Sequence, residues 1–333
     1  ANDFSTDSRC KALWRFENNL NDGKGGNHLT DVNTVGFTST NKKEGTYAAD
    51  FEKDNSEYGY RTDSDLDSGF PLKSGDSAKK ITVCCWIKPE SYQYPGHIIA
   101  KYDTTGNRRS FALVRYGGTI HVYNGYNGGA SQETLNTSYS AYNGEWYHLG
   151  VSFDGVNKSC LVRIFRASNS TTATYRFSLA NETNVEDADV TVGSRHGGGD
   201  YYDGLLDELV VFNDLLSVME IDAIRAGVYS GPMPEVRADA LGALAAYQLD
   251  GRVQADALGA LVAYQPEGTI QANAIGTTVA YSLTPEAAFV QADALGITAA
   301  YAVARPPGRV FPVPHPKTRW QSHYGKRKFP VVN

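Results

Sequence analysis

The chain has 333 residues, 31 Lys+Arg against 37 Asp+Glu for a formal charge of −6, and 41% hydrophobic residues. That apolar share supports a packed core and argues against wholesale disorder, and the mildly acidic balance disfavours a general nucleic-acid binder. No apolar run approaches the ~20 residues that span a bilayer as a helix.

Residues 1–229 read as one large β domain. The first residues, Ala1-Asn2-Asp3-Phe4, show neither a basic n-region nor an apolar h-region, so either a signal peptide was already removed or only an initiator Met was, and the second is the favoured expectation. Short runs rich in Val, Ile, Tyr, Phe and Trp then alternate with Gly, Asn, Asp and Ser clusters. The strand candidates are 10–17, 48–52, 81–88, 97–102, 110–116, 119–126, 146–153, 160–166, 189–193 and 205–213. About ten strands at this spacing predict a two-sheet jelly-roll sandwich. One helix stands out: Ser217 and Glu220 form a capping box, and Gly227 supplies the stop after about Ala226.

Cys10, Cys84, Cys85 and Cys160 are too few for a disulfide framework. Cys84 and Cys85 are adjacent in a strand and point to opposite faces. They read as small core hydrophobes, with a bridge from Cys10 left open.

Residues 230–304 lose Lys, Cys and Trp and become an internal repeat. The copies begin at Val236, Val253, Ile270 and Val290 and end at Tyr247, Tyr264, Tyr281 and Tyr301, with spacings of 17, 17 and 20 residues. Each is too short to bury a core alone, so copies must stack on one another or on other chains. A Gly inside every copy favours strand–turn–strand over an Ala-rich helix. Residues 305–333 hold Arg305, Arg309, Lys317, Arg319, Lys326, Arg327 and Lys328 and no acid, leaving 24 bases against 37 acids on the rest. Six prolines make this tail extended. Phe311, Trp320 and Phe329 suit it to docking on a partner, by strand addition for instance.

The runs Lys11-Ala-Leu-Trp-Arg-Phe-Glu17, Thr82-Val-Cys-Cys-Trp-Ile-Lys88, Glu145-Trp-Tyr-His-Leu-Gly-Val-Ser-Phe-Asp154 and Tyr202-Asp-Gly-Leu-Leu-Asp-Glu-Leu-Val-Val-Phe-Asn213 occur in this order. Together they resemble the laminin G-like, concanavalin A-like lectin/glucanase jelly-roll family, over residues 8–228. The resemblance implies the fold and not one function, since the fold hosts lectins, adhesion modules, hydrolases and passive structural units. The repeat and tail, with Arg309-Val-Phe-Pro-Val-Pro314 and Trp320-Gln-Ser322, look similar to segments of phage-type virion or surface proteins.

Glucanases of this family carry Glu-x-Asp-x-x-Glu on one strand, so that two acids flank the scissile bond. No such triplet occurs here. Asp207 and Glu208 are neighbours, and regular pleating would turn them to opposite faces. A buried member of that pair needs hydrogen bonds or a cation. Since family members often hold a structural Ca²⁺, Asp22, Asp207 and Glu208 are the expected ligands. The loop 194–203 combines three glycines with Arg195, His196, Asp200, Tyr201 and Tyr202. Aromatic faces beside polar heads suit a sugar, so these five are the expected ligand-binding residues.

The sequence therefore reads as a non-enzymatic structural surface protein with an all-β jelly roll, a β-rich repeat spacer and a docking tail. Its expected partners are identical subunits, other virion or surface structural proteins and glycans, with no nucleic acid and no membrane span. A virion fibre or decoration protein is the leading identity, placing it on the virion surface. A cell-surface filament or adhesin subunit and a secreted polysaccharide-active enzyme are the alternatives.

Overall fold

The computed structural model describes residues 2–92 and 95–232; farther on, only the backbone of eight strands of three to five residues between Val236 and Ala302 is described. The side chains expected to assemble (Tyr247, Tyr264, Tyr281, Tyr301, Phe311, Trp320 and Phe329) lie outside the described residues, as does the tail.

The strands up to residue 232 are β1 (Cys10–Trp14), β2 (Thr30–Val32), β3 (Gly36–Thr38), β4 (Ala48–Phe51), β5 (Tyr58–Arg61), β6 (Lys80–Pro89), β7 (Gly96–Asp103) and β8 (Arg108–Tyr116). They continue with β9 (Thr119–Tyr126), β10 (Ser131–Ser140), β11 (Tyr147–Asp154), β12 (Ser159–Arg166), β13 (Thr171–Ser178), β14 (Val190–Val192) and β15 (Gly204–Phe212), followed by helix α1 (Val218–Arg225). Two antiparallel sheets result. The first runs β13-β12-β11-β6-β15-β4-β3 with β1 also on β15, and the second runs β10-β9-β8-β7-β14-β5-β2.

Alternation builds the core between the sheets. Trp14, Phe51, Phe111, Phe153, Ile87 and Val192 meet there, all nearly inaccessible. A second cluster lies on the outside of the first sheet. Phe4, Leu13, Cys84, Val210, Phe212, Ile221, Ile224 and Tyr229 pack there beneath α1. Covered on both faces, β15 is buried along its whole length. Cys84 joins the helix-side cluster and Cys85 the inter-sheet core, as their adjacency predicted. All four cysteines are free, so the bridge left open for Cys10 is not formed.

The helix matches its sequence signature. Ser217 Oγ accepts from the N–H of Glu220 at 3.2 Å, and Glu220 Oε2 accepts from the N–H of Ser217 at 2.8 Å. Gly150 on β11 sets how closely the helix approaches: a Cβ there would lie 2.2 Å from Ile221 Cγ2.

Five strands were not legible in advance. β2 and β3 have three residues each, and β10 and β13 are edge strands with alternating exposed polar residues. β5, Tyr-Gly-Tyr-Arg, holds a glycine that mimics a turn signal. A Cβ at Gly59 would lie 3.1 Å from Leu29 Cβ and Cδ1, a contact tight enough that Leu29 would have to shift.

Candidate functional site

The site forms where the loop after β14 folds back over β7. The loop is pinned by main-chain hydrogen bonds: His196 N to Tyr102 O at 3.0 Å, His97 N to Asp200 O at 3.0 Å and Tyr202 N to Gly193 O at 2.8 Å. Its tip needs a backbone that L side chains rarely adopt. Gly197, Gly198 and Gly199 take φ of 74°, 77° and 124°.

This loop borders two cavities that share His196 and Gly197. One, of about 440 Å³, is lined by Asp103, Thr105, Gly106, Arg108, Arg195 and the loop glycines. The other, of about 320 Å³, is lined by Val32, Tyr58, Tyr60, Asp189 and Thr191. Tyr58 lies 6.2 Å from Tyr60 and 6.2 Å from Tyr201, centroid to centroid. All three rings are half-buried.

The polar half is tightly organised. Asp103 closes the β7–β8 turn by accepting from the N–H groups of Thr105 at 2.8 Å and Gly106 at 3.1 Å. It also receives Arg108 through Nε at 3.0 Å and Nη2 at 2.7 Å. Burial alone would push its carboxyl up, but Arg108 and the two amides hold it below the usual range. Arg108 Nη2 also lies 2.9 Å from His196 Nε2. His196 Nδ1 lies 3.2 Å from both the N–H of Asp189 and Asp189 Oδ2, so the ring is held between the β7–β8 turn and β14. Arg195 Nε binds Asp200 Oδ2 at 2.8 Å.

The structure thus brings together Arg195, His196, Asp200 and Tyr201 as expected. It removes Tyr202 from the set. That side chain is 0% exposed and sits in the inter-sheet core, because Tyr202 leads into β15 and points inward. Tyr58, Tyr60, Asp103, Arg108 and Asp189 were not anticipated. The Tyr-x-Tyr alternation of β5 was the available signal for the first two. The others come from strands distant in sequence.

The family model described as the concanavalin A-like lectin/glucanases superfamily, laminin G type, matches residues 61–222. Residues 61–222 form a concanavalin A-like jelly-roll domain. Solved structures of similar fold include domain 4 of the extracellular GH43 arabinanase AbnA from Geobacillus stearothermophilus, in complex with arabinotriose. It is 17% identical, with a TM-score of 0.46, and the match covers 67% of this chain and 99% of that one. Another is the botulinum neurotoxin serotype D binding domain, 14% identical, with a TM-score of 0.49, covering 66% and 52%. A third is the heptameric SAP-like pentraxin of Limulus polyphemus, 19% identical, with a TM-score of 0.34, covering 44% and 70%. No curated protein matches the chain.

The carboxylates expected to hold calcium in this concanavalin A-like domain do not converge. Asp22 accepts from the N–H groups of Leu13, Lys24, Gly25 and Asn27 at 2.8–3.1 Å. Asp207 Oδ2 accepts from the N–H groups of Lys43 at 2.7 Å and Glu44 at 3.0 Å. Glu208 receives Arg15 Nη1 at 2.7 and 3.0 Å. Each carboxylate is engaged by its own donors within the protein, Asp207 Oδ1 alone being left buried without a hydrogen bond, and the three do not come together as a cluster for a shared cation. The opposite-face expectation for Asp207 and Glu208 also fails. A β-bulge interrupts pairing between Asp207 and Val210, and Glu208 takes φ of 48°. The extra residue lies between the inward Leu206 and Leu209 and leaves both acids off the core side. Burial pushes each of them up to about 7.

Among the described residues, the carboxylates that do lie together are Asp50, Glu52 and Glu90, on the first sheet. Burial first, and then repulsion from neighbouring carboxylates, Asp203 among them in every case, raises all three. No described helix is long and apolar enough to cross a membrane.

Proposed function

We propose that the jelly roll is a non-catalytic carbohydrate-binding module, displayed outward by a multi-chain assembly. The observation that carries this is the trio Tyr58, Tyr60 and Tyr201 beside a cavity joined through His196 to a polar one. A pyranose has apolar C–H faces and a rim of hydroxyls. The tyrosine rings suit the faces, and the Asp and Arg heads suit the rim. Both cavities fall in the size range of small-ligand sites. The acids at the site support binding over catalysis: Asp103 is held ionised by Arg108, which suits an acceptor and not a general acid.

The assembly half of the proposal rests on the sequence of residues 230–333. Four copies that cannot each bury a core, followed by a basic tail on an acidic body, suit association of identical chains. A virion fibre or decoration protein, exposed on the particle surface, is the proposed form. A cell-surface filament or adhesin subunit is the second.

The test is a glycan array probed with the full chain, alongside Tyr58→Ala and Tyr201→Ala. Binding by the native chain that weakens in both variants is expected. An array blank for the native chain overturns the reading, as does polysaccharide turnover by the purified protein.

A further inference from the structure

The residues that line the two cavities, with their direct ion-pair partners, carry more carboxylate than guanidinium. Asp103, Asp187, Asp189 and Asp200 stand against Arg108 and Arg195. The formal balance is therefore negative.

Each guanidinium is already paired with a carboxylate. Arg108 is engaged by Asp103 at 2.7 Å and reaches Asp187 at 3.4 Å. Arg195 is engaged by Asp200 at 2.8 Å. The carboxylates have spare capacity instead. Asp187 is 63% exposed at its side chain, and each ionised carboxylate has about four acceptor positions.

We propose that this site selects neutral, hydroxyl-rich sugar units and discriminates against acidic ones, meaning uronates and sulfated or sialylated sugars. The inference rests on the carbohydrate-binding reading above and adds the ligand's charge class. Sugar hydroxyls donate to the surplus aspartate oxygens and accept from the outer nitrogens of Arg195. A neutral ring fits the tyrosine face without bringing a charge to be desolvated. An acidic sugar must place its anion near four carboxylates that outnumber the two guanidinium groups paired with them, so like charges repel. Specificity here comes from the repulsive element as much as from the attractive one.

The experiment compares matched pairs on one array: galactose-terminated oligosaccharides with their sialylated and sulfated forms, and neutral glucans with polyglucuronate. The full chain is probed at low and at moderate salt. The expected result is binding of the neutral member, with the acidic member at least tenfold weaker and the gap narrowing as salt rises. Asp187→Asn, an exposed change that leaves the Arg108–Asp103 pair in place, should narrow the gap at low salt. Equal or tighter binding of the acidic members overturns the charge-class inference and leaves the carbohydrate reading standing. A lack of binding to both members overturns the two together.

Discussion

Arg9 Nη2 lies 2.7 Å from Glu220 Oε1, although 211 residues separate them. The same nitrogen reaches Asp7 Oδ2 at 3.0 Å and the Tyr229 hydroxyl at 3.0 Å, and that hydroxyl donates to Asp7. Asn2 adds Nδ2 to Ile224 O at 2.9 Å, and its Oδ1 accepts from the N–H of Tyr229 at 3.0 Å. The N-terminal arm is therefore clasped to α1 and to the segment that follows it. Arg9→Ala would leave the buried Asp7 and Glu220 without their cation. We expect a loss of about 2 kcal/mol, which for a domain of this size is roughly 4–8 °C in melting temperature. An unchanged melt would show that the clasp does not stabilise the fold.

Gly150→Ala tests the seat of the helix. Its new Cβ meets Ile221 Cγ2, a methyl fixed on the branched Cβ within a packed cluster and not the free end of a long side chain. Overpacking of this kind costs about 1–3 kcal/mol. The double variant Gly150→Ala with Ile221→Ala removes the clashing methyl, so its loss is expected to be smaller than the sum of the two single losses, as read by chemical denaturation.

Tyr201 and Tyr202 are neighbours with opposite roles. Tyr201→Ala should leave the melt nearly unchanged while lowering glycan affinity about tenfold, equivalent to ~1.4 kcal/mol. Tyr202→Ala empties a core position and should cost about 3–5 kcal/mol of stability. If the two variants behaved alike in both measurements, the division between rim and core would be wrong.

Asp207 gives a pH signature. Its folded value of about 7 lies above that of an unfolded aspartate, about 4. Between those values the folded state binds more protons, so this group's contribution to stability falls as pH rises through the window and stays low above it. Asp207→Asn removes that penalty. The variant should melt above the native protein at pH 8, with the advantage gone by pH 5. His97 and His148 act in the opposite direction: burial lowers them to about 4 and about 3, so their neutral forms favour the fold at neutral pH. Their contribution is lost as pH falls below about 6.5. A difference between variant and native melts that did not change with pH would contradict the assignment to Asp207.

Much of the sandwich was legible because strand periodicity is local. The run 119–126 coincides with β9, and the capping box at Ser217 marked α1. The polar edge strands β10 and β13 were not legible, because half of their residues face solvent and carry no hydrophobic signature. The loop 194–203 was visible as glycines beside polar and aromatic residues, and four of its five expected ligand residues do stand at the cavities or pair with residues that do. The expectation of calcium at Asp22, Asp207 and Glu208 did not foresee that each would be engaged by separate donors, because a sequence does not say which N–H groups or guanidinium a carboxylate will find.

The sequence by itself determined the alternation that makes two sheets, the helix and its ends, and the division of charge between an acidic body and a basic tail. These depend on neighbours a few residues apart or on simple counting. Only the tertiary structure decided that Tyr58 and Tyr60 of β5 meet Tyr201, and that Asp103 and Arg108 of the β7–β8 turn meet His196. Those contacts depend on strand order, which places β14 between β5 and β7 in one sheet. The six-residue charge count that shapes the ligand proposal exists only once these segments are side by side.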